Sequence, residues 1–260
     1  MTLFESPKFL VNQTGENLAE LDRIIRDLFA RYGGRRIVEV DPKTGDKIFK
    51  IVFGGELPTN TRHIVASAIN DLRHALDQAT CAAIEAITGN EPGLIYFPIA
   101  ANPNDLEGRV GKFPPEIRDA FLGFQSYPTG EWYTGGNDLI CDLSKAAQRK
   151  HRICCKIGGQ VTRISGAGRA DGGHISTRNG ATAYLPPRWD ITKNEMILGI
   201  SGPEGHLNYD VDITFYVALY DAGPLTGAPA IASLSQLRTV VSDIVLSLEA
   251  ETEHILCARS

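Results

Sequence analysis

Apolar side chains recur at three- and four-residue intervals through Ile64, Val65, Ala68, Ile69, Leu72, Leu76, Ala79, Ala83 and Ile87. That spacing marks one face of an α-helix. Pro58 precedes the run, Thr59 or Thr61 supplies an N-cap oxygen, and Gly89 follows it, which are the start and stop signals of a helix. The pattern predicts one long helix over 58–89, central to the chain. Its alanines allow a neighbouring helix to approach closely. A polar stripe runs along its middle: Asn70, Arg73, Asp77 and Thr80 fall at i, i+3, i+7 and i+10 and share one face.

The same reading sets out the other elements. Leu18, Leu21, Ile25, Leu28 and Tyr32, widened by Ile24 and Phe29, predict a first helix over 15–32, with Thr14 as cap and Gly33–Gly34 as its end. RRIVEV and KIFKIVF flank the turn DPKTGD and predict a β-hairpin over 35–53. Residues 90–137 read mostly as loop, with LIYFPI as a short buried run, PPEIRDAFLGF as a short helix and GEWYTGGN as an aromatic-bearing loop. Asn137 or Asp138 then caps a helix through DLICDLSKAAQRKHR. From Ile153 the pattern changes to short β-rich runs broken by Gly, Pro and Asn, which predict four to six antiparallel strands. From about Ile231 helical spacing returns: Leu234, Leu237, Val241, Ile244, Leu248 and Ile255 form a heptad-like stripe. The expected fold is α+β. A mainly helical domain over 1–152 carries the inserted hairpin. A small antiparallel β region covers 153–230. The last helix, 231–260, packs back on the helical part or across a homodimer.

Composition narrows the classes. The 260 residues are 43% apolar and 22% charged, with a net charge of −5. An acidic balance argues against general affinity for a nucleic-acid backbone, although a local basic patch remains compatible. No apolar run approaches the roughly 20 residues of a membrane span, and MTLFESPKFLVNQTGEN lacks the basic start and apolar core of a signal peptide. The five cysteines, Cys81, Cys141, Cys154, Cys155 and Cys257, form no CxxC pair. They suit reduced thiols in a cytoplasmic protein. No zinc-ligand spacing appears, so neither a metal nor a cofactor is expected.

The densest chemistry joins the central stripe to the end of the later helix. Arg73 and Asp77 can pair at i, i+4, with His74 one position round the helix. Gln148, Arg149, Lys150, His151 and Arg152 form a basic cluster. If the helices pack, Arg73 and Asp77 face His151: a carboxylate orients an imidazole and cations hold an anion. The structural alternative is an inter-helix ion-pair network, with QRKHR as a solvated helix terminus suited to the dipole. The glycine-rich GAGRADGG stretch lacks the Lys-Ser/Thr of a P-loop. Neither GxSxG nor HExxH occurs. Trp132–Tyr133 and Trp189 could line a pocket or a partner surface.

These motifs carry a resemblance. INDLRHALDQ, then YFPI, then a helix ending in QRKHR, resembles a widespread family of uncharacterised bacterial proteins with LRxALD, FPI and KHR motifs. The match falls on Leu72, Arg73, Ala75, Leu76 and Asp77, and on Lys150, His151 and Arg152; it covers roughly residues 15–160. Family members often carry Asn-x-Asp before KHR, where this chain has AAQ. The helical part is also distantly similar to HEPN-type domains of RNA-cleaving toxin and defence proteins, which use Arg and His four to six residues apart on a helix. Here that spacing occurs only from Arg169 to His174, in the glycine-rich stretch.

Two functions follow as expectations. The first is a non-catalytic binding or interaction protein of bacterial or phage origin, self-associating through its last helix. The second is an HEPN-like, metal-independent RNase or nucleotide-acting protein of a defence system. In that case Arg73, Asp77 and His151 are catalytic and Asn70, His74, Gln148, Lys150 and Arg152 bind the RNA or nucleotide.

Overall fold

A computed structural model describes residues 3–165, 176–178, 182–183, 187–208 and 210–259. GAGRADGG, with Arg169 and His174, lies outside the described residues. The fold is α+β, and the chain divides into two units. One comprises residues 1–22, 60–154 and 219–260; the other comprises 23–59 and 155–218.

The helices are α1 (Glu5–Arg31), α2 (Asn60–Thr88), α3 (Pro103–Val110), α4 (Arg118–Gly123), α5 (Asp138–Gln148) and α6 (Ala230–Arg259). All belong to the helical unit except the part of α1 beyond Asp22. The expected long helix is α2, ended by Gly89 at φ +68° with its N–H bonded to Glu85 O, a left-handed C-cap position that suits glycine. Its main partner is α6, with α5 beside it. The heptad stripe of α6 is buried throughout, from Leu234 to Ile255, so the last helix packs back within its own chain. By length and composition α6 is also apolar enough to cross a membrane, which corrects the expectation that no stretch of the chain comes near that limit.

Three helical boundaries move. First, α1 starts ten residues earlier than expected, at Glu5 rather than Gly15. Thr14 is not a cap: it is buried inside the helix and its hydroxyl donates to Leu10 O. Gly15 lies inside the helix, and the Arg238 guanidinium packs against it, 3.1 Å from where a Cβ would stand. Second, α3 interrupts the expected loop. Asn102 accepts from the Asp105 N–H, Pro103 occupies the first turn, and the Asp105 carboxylate accepts from the Ala101 N–H, a near relative of the capping box. Third, α5 ends at Gln148, so Lys150, His151 and Arg152 occupy the turn beyond the helix.

The strands are β1 (Gly34–Val40), β2 (Lys47–Phe53), β3 (Cys154–Ser165), β4 (Ser176–Arg178), β5 (Thr182–Ala183), β6 (Trp189–Asp190), β7 (Glu195–Ser201), β8 (His206–Asn208) and β9 (Asp210–Tyr220). The hairpin forms as expected, with Gly45 at φ +77° in its turn. It does not belong with the helices, however. β2 pairs antiparallel with β7 in the order β1-β2-β7-β5, so the hairpin and the later strands share one sheet. β6 also pairs with β7, while β3–β9 and β4–β8 form two-stranded sheets. The core of this β unit gathers Ile51, Met196, Leu198 and Val211, with Phe215 and Trp189 packed against them. The Trp189 indole N–H donates to Ile157 O. Lys50 lies between Glu39 (2.6 Å) and Glu195 (3.1 Å) and stitches β1, β2 and β7 together.

Candidate functional site

The central stripe forms the floor of the site. Arg73 Nη2 contacts Asp77 Oδ1 at 2.9 Å, and both side chains are largely buried. Asp77 Oδ1 also accepts from the Phe97 N–H at 2.9 Å. The Cys81 thiol donates to Ile95 O, and the Ser126 hydroxyl donates to Pro98 O. Residues 94–99 are therefore held on α2 as an irregular segment, with the Phe97 N–H and the Ile95 carbonyl bonded to α2 side chains and the Pro98 carbonyl to Ser126. This segment is not the expected buried run. Phe97 is buried, but Leu94 is 91% exposed and Tyr96 59% exposed, because the clamp turns alternate side chains outward.

Burial pulls the Arg73 guanidinium below its ordinary pKa, against the attraction of Asp77 and Tyr96. Burial likewise pushes the Asp77 carboxyl up, against Arg73 and the Phe97 N–H. Each group is dehydrated more than its partner repays, the usual tension of a sequestered ion pair. Arg73 Nη1 is buried and has no hydrogen-bond partner among the described residues.

Beside Arg73 opens a cavity of about 590 Å³ in the helical unit. α2 contributes Arg73, α3 contributes Arg109, α5 contributes Ser144, Lys145 and Gln148, and the clamped segment contributes Tyr96. Three cations face it and no carboxylate belongs to its lining. Arg109 is steadied by Asp105 at 3.2 Å. Lys145 makes a long contact to Asp142, at 3.8 Å. Burial pushes the Cys141 thiol in the wall up to about 11, so it is no nucleophile at neutral pH. A groove of about 230 Å³ adjoins the cavity, formed by Leu94, Ile95, Pro98 and Phe113 with Lys112 at its side; Tyr96, Phe97 and Arg109 are common to both.

The predicted residues divide. Arg73 and Asp77 meet as expected, and Gln148 shares the cavity with Arg73. Thr80 is buried and bonded to Leu76 O, a structural role. Asn70 is half-buried one turn before Arg73, and His74 is exposed beside the stripe. Lys150, His151 and Arg152 are exposed and do not line the cavity. The His151 carbonyl accepts from Arg62 Nη2. Arg62 stands eleven residues before Arg73, roughly 16 Å along the helix at 1.5 Å per residue. The cluster expected to complete the site is thus tied by its main chain to the start of α2. Arg149 instead pairs with Asp221 at 2.9 Å.

Arg109, Lys145 and Tyr96 were not anticipated. The Asn102-Pro103-Asn104-Asp105 cap signature was legible and would have revealed α3 and its Arg109. Lys145 lies three residues before Gln148, on the same helix face. Among the described residues no group of three or more His, Cys, Asp or Glu side chains is placed to hold a metal ion.

Comparison with family models, curated proteins and solved structures returned no match. The likeness carried by LRxALD, FPI and KHR therefore rests on those residues alone.

Proposed function

We propose that the helical unit is a non-catalytic binding module for a small phosphorylated ligand with a flat apolar part, of the mononucleotide class. One observation carries this reading: the cavity is faced by three cations, Arg73, Arg109 and Lys145, and by no carboxylate. An anion seated in the cavity meets charge-assisted donors from α2, α3 and α5 with no carboxylate to repel it. The neighbouring groove gives the rest of such a ligand a place, with Tyr96 at the boundary as a stacking surface.

Calorimetric titration tests it with three probes: inorganic phosphate, ribose 5-phosphate and adenosine monophosphate. Affinity is expected to rise in that order. Arg109→Gln and Lys145→Gln, both at accessible positions, are each expected to weaken the nucleotide roughly tenfold, about 1.4 kcal/mol. No binding of any probe at millimolar concentration, or binding indifferent to both substitutions, overturns the reading.

A further inference from the structure

The groove beside the cavity has a charge of its own. Two cations, Arg109 and Lys112, line it together with Leu94, Ile95, Pro98 and Phe113. No carboxylate among the described residues belongs to that lining. Arg109 faces both hollows, whereas Lys112 lines the groove and not the cavity. The two cations stand three positions apart at the end of α3, where the Lys112 N–H reaches the Arg109 carbonyl at 3.4 Å. Positions three apart on such a turn carry neighbouring side chains. The carbonyl end of a helix ordinarily disfavours an anion. Here Arg118 offsets that field: its Nε donates to Phe113 O at 2.9 Å and its Nη2 to Gly111 O at 2.8 Å. The same bonds fix the turn that carries Lys112. The Phe113 ring meets Phe121 edge-on, 4.8 Å between centroids, and the Phe113 N–H donates to Val110 O at 2.9 Å. The groove is thus preformed, with two cations held side by side. Like charges so placed repel, and an anion between them turns that repulsion into attraction.

We propose that the ligand of the helical unit carries a second anionic group, separate from the phosphate in the cavity, and that Arg109 and Lys112 hold it from the groove. This rests on the reading of the cavity as a phosphate site. The cations then form two poles: Arg73 and Lys145 in the cavity and Lys112 in the groove, with Arg109 common to both. Tyr96 and Phe97 also line both hollows, so the uncharged middle of the ligand lies against aromatic surface. The chemical class is a nucleotide phosphorylated at two separate positions, such as a nucleoside 3′,5′-bisphosphate, in preference to one whose phosphates form a single chain.

Calorimetric titration with adenosine 5′-monophosphate, adenosine 3′,5′-bisphosphate and adenosine 5′-diphosphate tests the proposal. The diphosphate adds its charge at the same end as the monophosphate, and the bisphosphate adds it elsewhere. The bisphosphate is expected to bind about tenfold more tightly than the monophosphate, the order that one charge-assisted contact supplies. Lys112→Gln should abolish that gain, keep the monophosphate within about twofold of its wild-type affinity, and leave the diphosphate unchanged. Lys145→Gln, by contrast, should weaken all three. Lys112 is exposed, and the unchanged monophosphate affinity of its variant verifies that the fold is intact. A bisphosphate that binds no better than the monophosphate, or a gain that survives Lys112→Gln, overturns this inference and leaves the cavity standing as a phosphate site. Equal weakening of diphosphate and bisphosphate by Lys112→Gln also overturns it, because net charge alone then decides. Absence of monophosphate binding overturns the reading of the cavity itself, and this inference with it.

Discussion

The helical unit and the β unit exclude water by different means. In the helical unit, α2 buries an unbroken face from Ile64 to Ile87 against α6 and α5. The few polar groups inside are satisfied locally, as Thr80, Thr14 and Thr252 are by carbonyls one turn back. In the β unit the buried cluster is small, and aromatic rings complete it by lying on glycine backbone. A Cβ at Gly158 would stand 2.5 Å from the Tyr216 ring, and one at Gly159 would stand 2.8 Å from the Trp189 ring. The first design is sensitive to lost volume, the second to added volume. At the candidate site, by contrast, the Arg73–Asp77 pair is buried without full compensation.

Substitutions can break this comparison. Leu76→Ala removes a fully buried side chain from α2 and is expected to cost about 3 kcal/mol in urea denaturation; a loss below about 1 kcal/mol would show a face less tightly packed than described. Gly159→Ala adds one methyl group beneath Trp189 and should cost about 1–3 kcal/mol, with a changed tryptophan fluorescence. Gly93→Ala, where a Cβ meets nothing within 4 Å, should be near neutral. If the two glycines respond alike, the rings do not rest on the backbone as described. The smallest effect concerns Asp77. Burial raises its folded-state pKa above the unfolded value, so the native state binds the proton more tightly. The stability associated with this group is then greatest at acid pH and falls as pH rises through the window from the ordinary carboxylate range to the raised value. Asp77→Asn lacks that slope, so the variant should gain on the wild type as pH rises through this window. The opposite slope would show that attraction to Arg73 outweighs burial.

The periodic elements were legible because one residue type decided them. The spacing of Leu72, Leu76 and Ala79 suffices for α2, and that of Leu234, Leu237 and Val241 for α6. Thr14 and Gly15 carry helix-start chemistry, while what lies against Gly15 is Arg238, a tertiary neighbour more than two hundred positions away that no local spacing reveals. The hairpin was visible, but its sheet was not: the pairing of Ile51 with Met196 is non-local and leaves no spacing to read. In the site, Arg73–Asp77 was legible as an i, i+4 pair. The partner of Asp77, the Phe97 N–H, is backbone and therefore silent in sequence. His151 looked adjacent to the stripe only on the assumption that α5 continued through Lys150. The helix stops at Gln148, and the turn carries the imidazole's main chain to Arg62.

The packing of α2 on α6 has a consequence for synthesis. The C-terminal end of α2 is closed by Arg259, whose guanidinium donates to Ile87 O across 172 residues and pairs with Glu116. While the ribosome is still translating the later strands, α5 is present but the main partner of α2, α6, does not yet exist. Contacts this remote in sequence make folding slow and leave apolar surface open in the nascent chain. The central helix is therefore made early and covered last, and α2 is the surface that chaperones should meet on the growing polypeptide.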